Sequence, residues 1–146
     1  MQDPETSELF RQCRKSWTEI HAYYQANFEY CQTRIAHEPV GLDAWQALRD
    51  FVEVIQSRPH LQTLITAGSL GCIWIFRNQE CLIEEGCIVI GSGYPTQRSN
   101  RDITIGYVTS LALKPSTPTA YGDVFSAANS LEERLLEYGF IPPSDS

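Results

Sequence analysis

The sequence predicts a single α+β domain: an N-terminal helical hairpin with a long first helix, an antiparallel sheet of about four strands, and a C-terminal helix packed on the sheet. Apolar residues recur every three or four positions near both ends of the chain, whereas the middle has short runs of branched and aromatic residues bounded by Gly, Asn and Ser. The 146 residues suit one hydrophobic core, so residues 1–146 are assigned to one domain.

A long apolar stripe predicts that residues 5–36 form one continuous helix. Steps of three and four positions place all members of the stripe on one side of a helix. The stripe consists of Phe10, Cys13, Trp17, Ile20, Tyr24, Phe28, Cys31 and Ile35. Ser7 is the predicted N-cap, and Pro39 ends the helix because a proline disfavours helical geometry in the residue before it.

A second helix is predicted over residues 43–57, with Asp43 as its N-cap and Pro59 after its end. Its apolar face contains Ala44, Trp45, Leu48, Phe51, Val52 and Ile55. Because the turn before it is short, the two helices should form an antiparallel hairpin.

The sheet is predicted within residues 61–113, since the apolar pattern changes there to short runs rich in Ile, Val, Cys and aromatic residues. Strands are expected at residues 71–77, 80–84, 87–90 and 103–109, while 61–65 is ambiguous. A proline-containing connection leads to the last helix, residues 119–138, which ends at Gly139 and leaves 139–146 as a loose tail. The residues expected to face inward from this helix are Tyr121, Val124, Phe125, Ala128, Leu131, Leu135 and Tyr138.

Charge and cysteine content limit the environment and the partners. The formal net charge is −7, and residues 119–146 carry five acids and one base. Such a surface repels nucleic-acid phosphates and anionic lipid, so neither is expected as a partner. No apolar run could span a bilayer, the N-terminus does not resemble a secretory signal, and the five cysteines lie inside apolar patterns without a C-x-x-C pair. We therefore expect a cytoplasmic protein with reduced thiols.

The sequence gives no signal for catalysis. The three histidines have no neighbours at metal-ligand spacing, no nucleophile or phosphate-loop motif is present, and the paired carboxylates at 84–85 and 132–133 are sequence neighbours that diverge on a strand or a helix. We expect a protein that is not an enzyme and holds no metal or cofactor.

Two features are candidates for binding a protein partner, which we expect to be basic. The second and last helices each carry an acidic stripe opposite an apolar one, and complementary charge accelerates encounter with such a partner. The loop 91–102 is long enough to suggest a contact role and contains two arginines. The predicted contact residues are Asp50, Glu53, Arg98, Arg101, Asp123, Glu133 and Glu137.

In size, acidity and predicted architecture the chain resembles the immunity proteins that neutralise bacterial toxins. This resemblance implies a bacterial inhibitor that binds a basic toxin and acts without catalysis. An alternative is an acidic secretion or assembly chaperone, which would dimerise through the long first helix. A further alternative is a small enzyme or ligand-binding domain with its site under the 91–102 loop. The oligomeric state, monomer or homodimer, stays open at this point.

Overall fold

The computed structural model describes residues 4–33, 39–69, 72–91, 102–109 and 116–142. It confirms the α+β class, because helices from both ends of the chain pack on an antiparallel sheet. The helices are α1 (Pro4–Gln12), α2 (Trp17–Thr33), α3 (Pro39–Gln56) and α4 (Val124–Glu137). The strands are β1 (Ile65–Ser69), β2 (Cys72–Phe76), β3 (Cys87–Gly91), β4 (Ile103–Val108) and β5 (Ser116–Tyr121). The strands lie side by side in chain order, so the sheet is a meander.

The two faces of the sheet are both apolar and are covered differently. Successive strand residues point to opposite faces, so Ile73 and Ile75 of β2 lie on one face and Trp74 and Phe76 on the other. We call the first the inner face. It contributes isoleucines to the main core with buried residues of α2, α3 and α4. The outer face carries a smaller cluster to which Phe10 of α1 packs.

The prediction of one helix over 5–36 was wrong, because the chain leaves the helix after Gln12 and starts a new one at Trp17. The intervening residues lie along the free edge of β1. Arg14 forms an antiparallel bridge with Ala67, the Lys15 N–H donates to the Thr66 carbonyl at 3.1 Å, and the Gly68 N–H donates to the Cys13 carbonyl at 3.0 Å. These bonds satisfy backbone groups of an edge strand that would otherwise be unpaired.

A local signal for this break is present in the sequence. The hydroxyl of Ser16 accepts from the Glu19 N–H at 3.2 Å, and the Glu19 carboxylate accepts from the Ser16 N–H at 3.0 Å. This reciprocal pair is a capping box and marks the start of α2. Ser7, the predicted N-cap, instead lies buried inside α1, which begins at Pro4.

The helical hairpin is confirmed by α2 and α3. Side chains pair across them in opposite chain directions: Gln56 with Thr18 at 3.4 Å, Glu53 with His21 at 3.0 Å, and Arg49 with Gln25 at 3.3 Å. The predicted start of the second helix was too late. Pro39, which was predicted to stop the first helix, is instead the first residue of α3, so Asp43 lies inside α3.

The number and position of the strands also differ from the prediction. Residues 80–84 form no strand: Cys81 has a positive φ of 57°, and Ile83–Glu85 is a 3-10 turn. Cys81 and Ile83 are nevertheless buried under the outer face, which explains their apolar alternation. Of the ambiguous residues 61–65, only Ile65 belongs to a strand, β1, which continues to Ser69, and the residues 116–121 that were assigned to a connection and a helix start form β5. Edge strands tolerate a proline such as Pro118 because their outer N–H needs no ladder partner.

The last helix begins at Val124 instead of residue 119, and Asp123 is its N-cap. Its end agrees with the prediction. Gly139 has φ 78°, its N–H donates to the Leu136 carbonyl at 3.2 Å, and the Phe140 N–H donates to the Leu135 carbonyl at 2.8 Å. This is a Schellman motif, which satisfies the last carbonyls of a helix. Phe140 then packs against the main core, so the predicted loose tail does not begin at 139.

Candidate partner-binding surface

The two acidic contact residues predicted on α3 each have a side-chain partner: the Arg49 guanidinium for Asp50 and the His21 imidazole for Glu53. Asp50 accepts from Arg49 at 2.9 Å, and Glu53 contacts His21 of α2 at 3.0 Å. Both carboxylates remain partly exposed, with side-chain exposures of 36% and 54%. This part of the surface therefore presents mixed charge, which weakens its attraction for a basic partner.

Asp123 has a structural role. Its carboxylate accepts from the Ser126 N–H at 2.9 Å and from the Ser126 hydroxyl at 3.0 Å, and these bonds lower the pKa of Asp123. The side chain satisfies donors at the first turn of α4, as an N-cap does. It is exposed but already engaged.

Glu133 and Glu137 are placed differently, on the solvent side of α4. Neither forms an ion pair with another residue in the described part of the chain. They stand one helical turn apart, at the spacing where like charges repel. They are therefore the predicted contact residues that the structure leaves most available to a cation.

Two large apolar side chains share this side of α4. Phe125 is 60% exposed and Leu136 is 41% exposed. The prediction that Phe125 points inward was wrong, because Ala127, Ala128, Leu131 and Leu135 already fill the buried side of the helix. At 3.6 residues per turn, Phe125 lies on a different side of the helix axis from these four buried residues. We use "the α4 outer face" for Phe125, Asn129, Glu133, Leu136 and Glu137.

The side of the α4 outer face nearest α3 is neutralised. Glu132 accepts from Arg58 at 2.7 Å and contacts His60 at 3.0 Å, and Arg58 also donates to Asn129 at 2.9 Å. Burial raises the pKa of Glu132, but the hydrogen bonds from His60 and Arg58 outweigh it and leave the pKa below its ordinary value. Negative charge is thus concentrated on the opposite side, at Glu133 and Glu137.

A second apolar surface lies between α1 and the outer face of the sheet. A groove of about 230 Å³ runs there, and Leu9 at its rim is 62% exposed. Beside it, the ring centroids of Phe10 and Trp74 lie 5.0 Å apart in a T-shaped arrangement. The lining residues are Thr6, Leu9, Phe10, Cys13, Gly68 and Trp74.

The contact residues predicted in the 91–102 loop have no described position. Arg98 and Arg101 lie outside the described residues, as do most of the 91–102 loop, stripe residue Ile35, and tail residues 143–146. The loop's described ends are Gly91 on β3 and Asp102 just before β4.

The thiols of Cys72, Cys81 and Cys87 are poor nucleophiles. Burial raises the pKa of Cys72 and Cys81, and burial together with Cys81 raises the pKa of Cys87 to about 12. A thiol with a raised pKa is protonated near neutral pH and unreactive. Within the described ranges, no group of three or more His, Cys, Asp or Glu side chains could hold a metal ion.

A polar contact missed at the sequence level joins α4 to β5. The Tyr121 hydroxyl hydrogen-bonds Ser130, and Arg134 donates to the Thr119 hydroxyl at 2.8 Å. Burial raises the pKa of Tyr121, but the hydrogen bonds from Ser130 and Arg134 give a net lowering. Because residues 119–121 were assigned to a helix, this contact between a strand and α4 could not be anticipated.

No protein-family model, no curated protein and no solved structure matches this chain. In the part of the chain that the structure describes, no helix has the length and apolar character needed to cross a membrane. The chemistry of the chain's own surface is therefore the basis for the function proposed below.

Proposed function

We propose that this protein is a non-catalytic binding module for a basic protein partner, and that the α4 outer face is its main contact surface. The observation that carries the proposal is the combination on one helix of exposed Phe125 and Leu136 with exposed Glu133 and Glu137. Protein interfaces join an apolar centre to a polar rim, and this face offers both. Its most specific form is an immunity-type inhibitor that neutralises a basic bacterial toxin in the cytoplasm.

The overall charge supports the same proposal. At −7, the chain attracts a cationic protein from a distance and repels nucleic acid and anionic lipid. Toxins that attack nucleic acid need basic clefts, so an acidic inhibitor is electrostatically complementary to them. Such steering changes the association rate and its salt dependence more than it changes the dissociation rate.

Association kinetics with the native partner, isolated by native co-purification, test the proposal. Changing both Glu133 and Glu137 to lysine should slow association by about tenfold at low salt, and most of the effect should vanish near about 1 M salt. Changing Asp50 and Glu53 to lysine is the matched control: it makes the same change in net charge but lies on α3, outside the α4 outer face, so it should have a smaller effect. An association rate that neither change alters would reject the proposal.

The chaperone alternative keeps one supporting observation, the apolar groove beside Leu9, since a chaperone needs exposed apolar surface for an unfolded client. The dimer interface proposed for the chaperone required one long apolar helix face, which the described chain does not present. The long first stripe is divided: Phe10 packs in the outer cluster, whereas Trp17, Ile20 and Tyr24 are buried in the main core. A protein that sediments as a homodimer and binds an unfolded segment would favour the chaperone.

A further inference from the structure

The exposed apolar side chains of α4 are not needed to hold the helix on the domain. Ala128, Leu131 and Leu135 are fully buried beneath it. Phe125 and Leu136 instead keep large apolar areas in water, at a cost proportional to that area. A contact that covers both side chains recovers this free energy without rearranging the core.

The geometry of the face favours an elongated partner. Phe125 and Leu136 are separated by about three helical turns, so they lie nearly in line along α4, roughly 16 Å apart. Asn129 lies between them on the same side. A partner helix laid along α4 can reach both anchors, because ridges of one helix pack into grooves of the other.

The surface charge differs between the two sides of the line that joins Phe125 and Leu136. Glu133 and Glu137 lie on one side, whereas on the other side the Arg58 guanidinium pairs with Glu132, which His60 also contacts. A partner helix that carries lysine or arginine next to its apolar stripe would pair with the first side and relieve the repulsion between Glu133 and Glu137. The asymmetry also selects one orientation.

We propose that the α4 outer face binds a basic amphipathic helix of the partner, with Phe125 and Leu136 as apolar anchors and Glu133 and Glu137 pairing with its cations. This inference rests on the proposed protein-binding function and names the chemistry of the partner segment. A second copy of this chain is a poorer occupant, because a two-fold contact would bring Glu133 and Glu137 of both copies together. A membrane is also a poorer occupant, since interfacial helices carry Lys and Arg on their polar face.

Three synthetic helical peptides of about 14 residues test the inference. One has leucine on one face and lysine on the other, the second replaces lysine by glutamate, and the third scrambles the leucine and lysine positions. In an NMR titration of the full chain, only the first should bind with amide shifts centred on residues 125–137. Phe125→Ala and Leu136→Ala should each weaken it by about tenfold. Leu9→Ala is the matched control, because Leu9 is equally an exposed helical leucine but lies on α1.

The outcomes separate this inference from the proposed function. The inference is overturned if the leucine–lysine peptide does not shift residues 125–137, if the scrambled peptide binds as well, or if Leu9→Ala weakens binding as much as Leu136→Ala. It is also overturned if the native partner is slowed by the Glu133 and Glu137 reversals yet unaffected by Phe125→Ala, a result that leaves the proposed function standing. Peptide binding on α4 with an unaltered partner association rate would uphold the surface chemistry and reject the proposed function.

Discussion

The contribution of Trp17 to the main core can be measured as a change in the free energy of unfolding. Its side chain is 2% exposed, and its indole N–H donates to the Leu61 carbonyl at 2.9 Å. Trp17→Ala should cost about 3–5 kcal/mol of the free energy of unfolding, as other large-to-small core changes do. With a urea dependence of about 2 kcal/mol per molar, the unfolding midpoint should fall by roughly 2 M.

A second substitution separates packing from the hydrogen bond. Trp17→Phe keeps an aromatic ring but removes the donor, which leaves the carbonyl of fully buried Leu61 without this partner and should cost about 1–3 kcal/mol. Phe125→Ala is the control, because an exposed aromatic residue on a helix should change stability by less than about 0.5 kcal/mol. If Trp17→Ala cost as little as Phe125→Ala in urea titrations, the assignment of Trp17 to the main core would be refuted.

Gly86 and Glu132 are two further positions where the structure predicts a measurable change in stability. Gly86 has φ 96°, and a Cβ there would lie 1.8 Å from the Tyr107 hydroxyl oxygen, so Gly86→Ala should cost about 2 kcal/mol or more in thermal unfolding, whereas Gly122→Ala, with its nearest atom at 3.5 Å, should cost little; equal losses would contradict this reasoning. The pKa of Glu132 is lowered in the folded state, so its stabilisation is present above its ordinary value of 4.5 and is lost as the pH falls through the lower folded value. The stability difference between wild type and Glu132→Gln should therefore shrink below about pH 4.5, and a difference that is constant down to about pH 2 would show that ionisation is not its source.

The candidate surface was only partly predictable from the sequence. Helical spacing placed Glu133 and Glu137 on the solvent side of the last helix, where the structure has them. It did not indicate that Asp123 would cap α4 or that Phe125 would be exposed. Both depend on the start of the helix, which shifts from residue 119 to Val124 because residues 116–121 pair with β4. Whether residues 116–121 form a strand depends on their pairing with β4, and the residue pattern of that segment alone does not show this pairing.

The side-chain partners of the acidic residues on α3 were likewise not predictable from the sequence. A helical pattern predicts that Asp50 and Glu53 are exposed, but it does not reveal that His21 of α2 stands opposite Glu53. The partner of a surface carboxylate is set by how two helices pack against each other. For this reason the structure distinguishes the acids of α3 from those of α4, although their sequence patterns are alike.

The sequence by itself determined the α+β class, the apolar face of α3, the strands β2, β3 and β4 to within a few residues, and the end of α4 at Gly139. These features follow from periodicity and from residues with special backbone preferences, which act over a few neighbouring positions. The break of the first stripe has a local signal in the Ser16–Glu19 capping box, but only the tertiary structure shows that the backbone of residues 13–15 pairs with the edge of β1. It also decided that α4 starts at Val124 and that Phe125 is exposed, because residues 116–121 form β5 only when β4 lies beside them and shares their ladder hydrogen bonds.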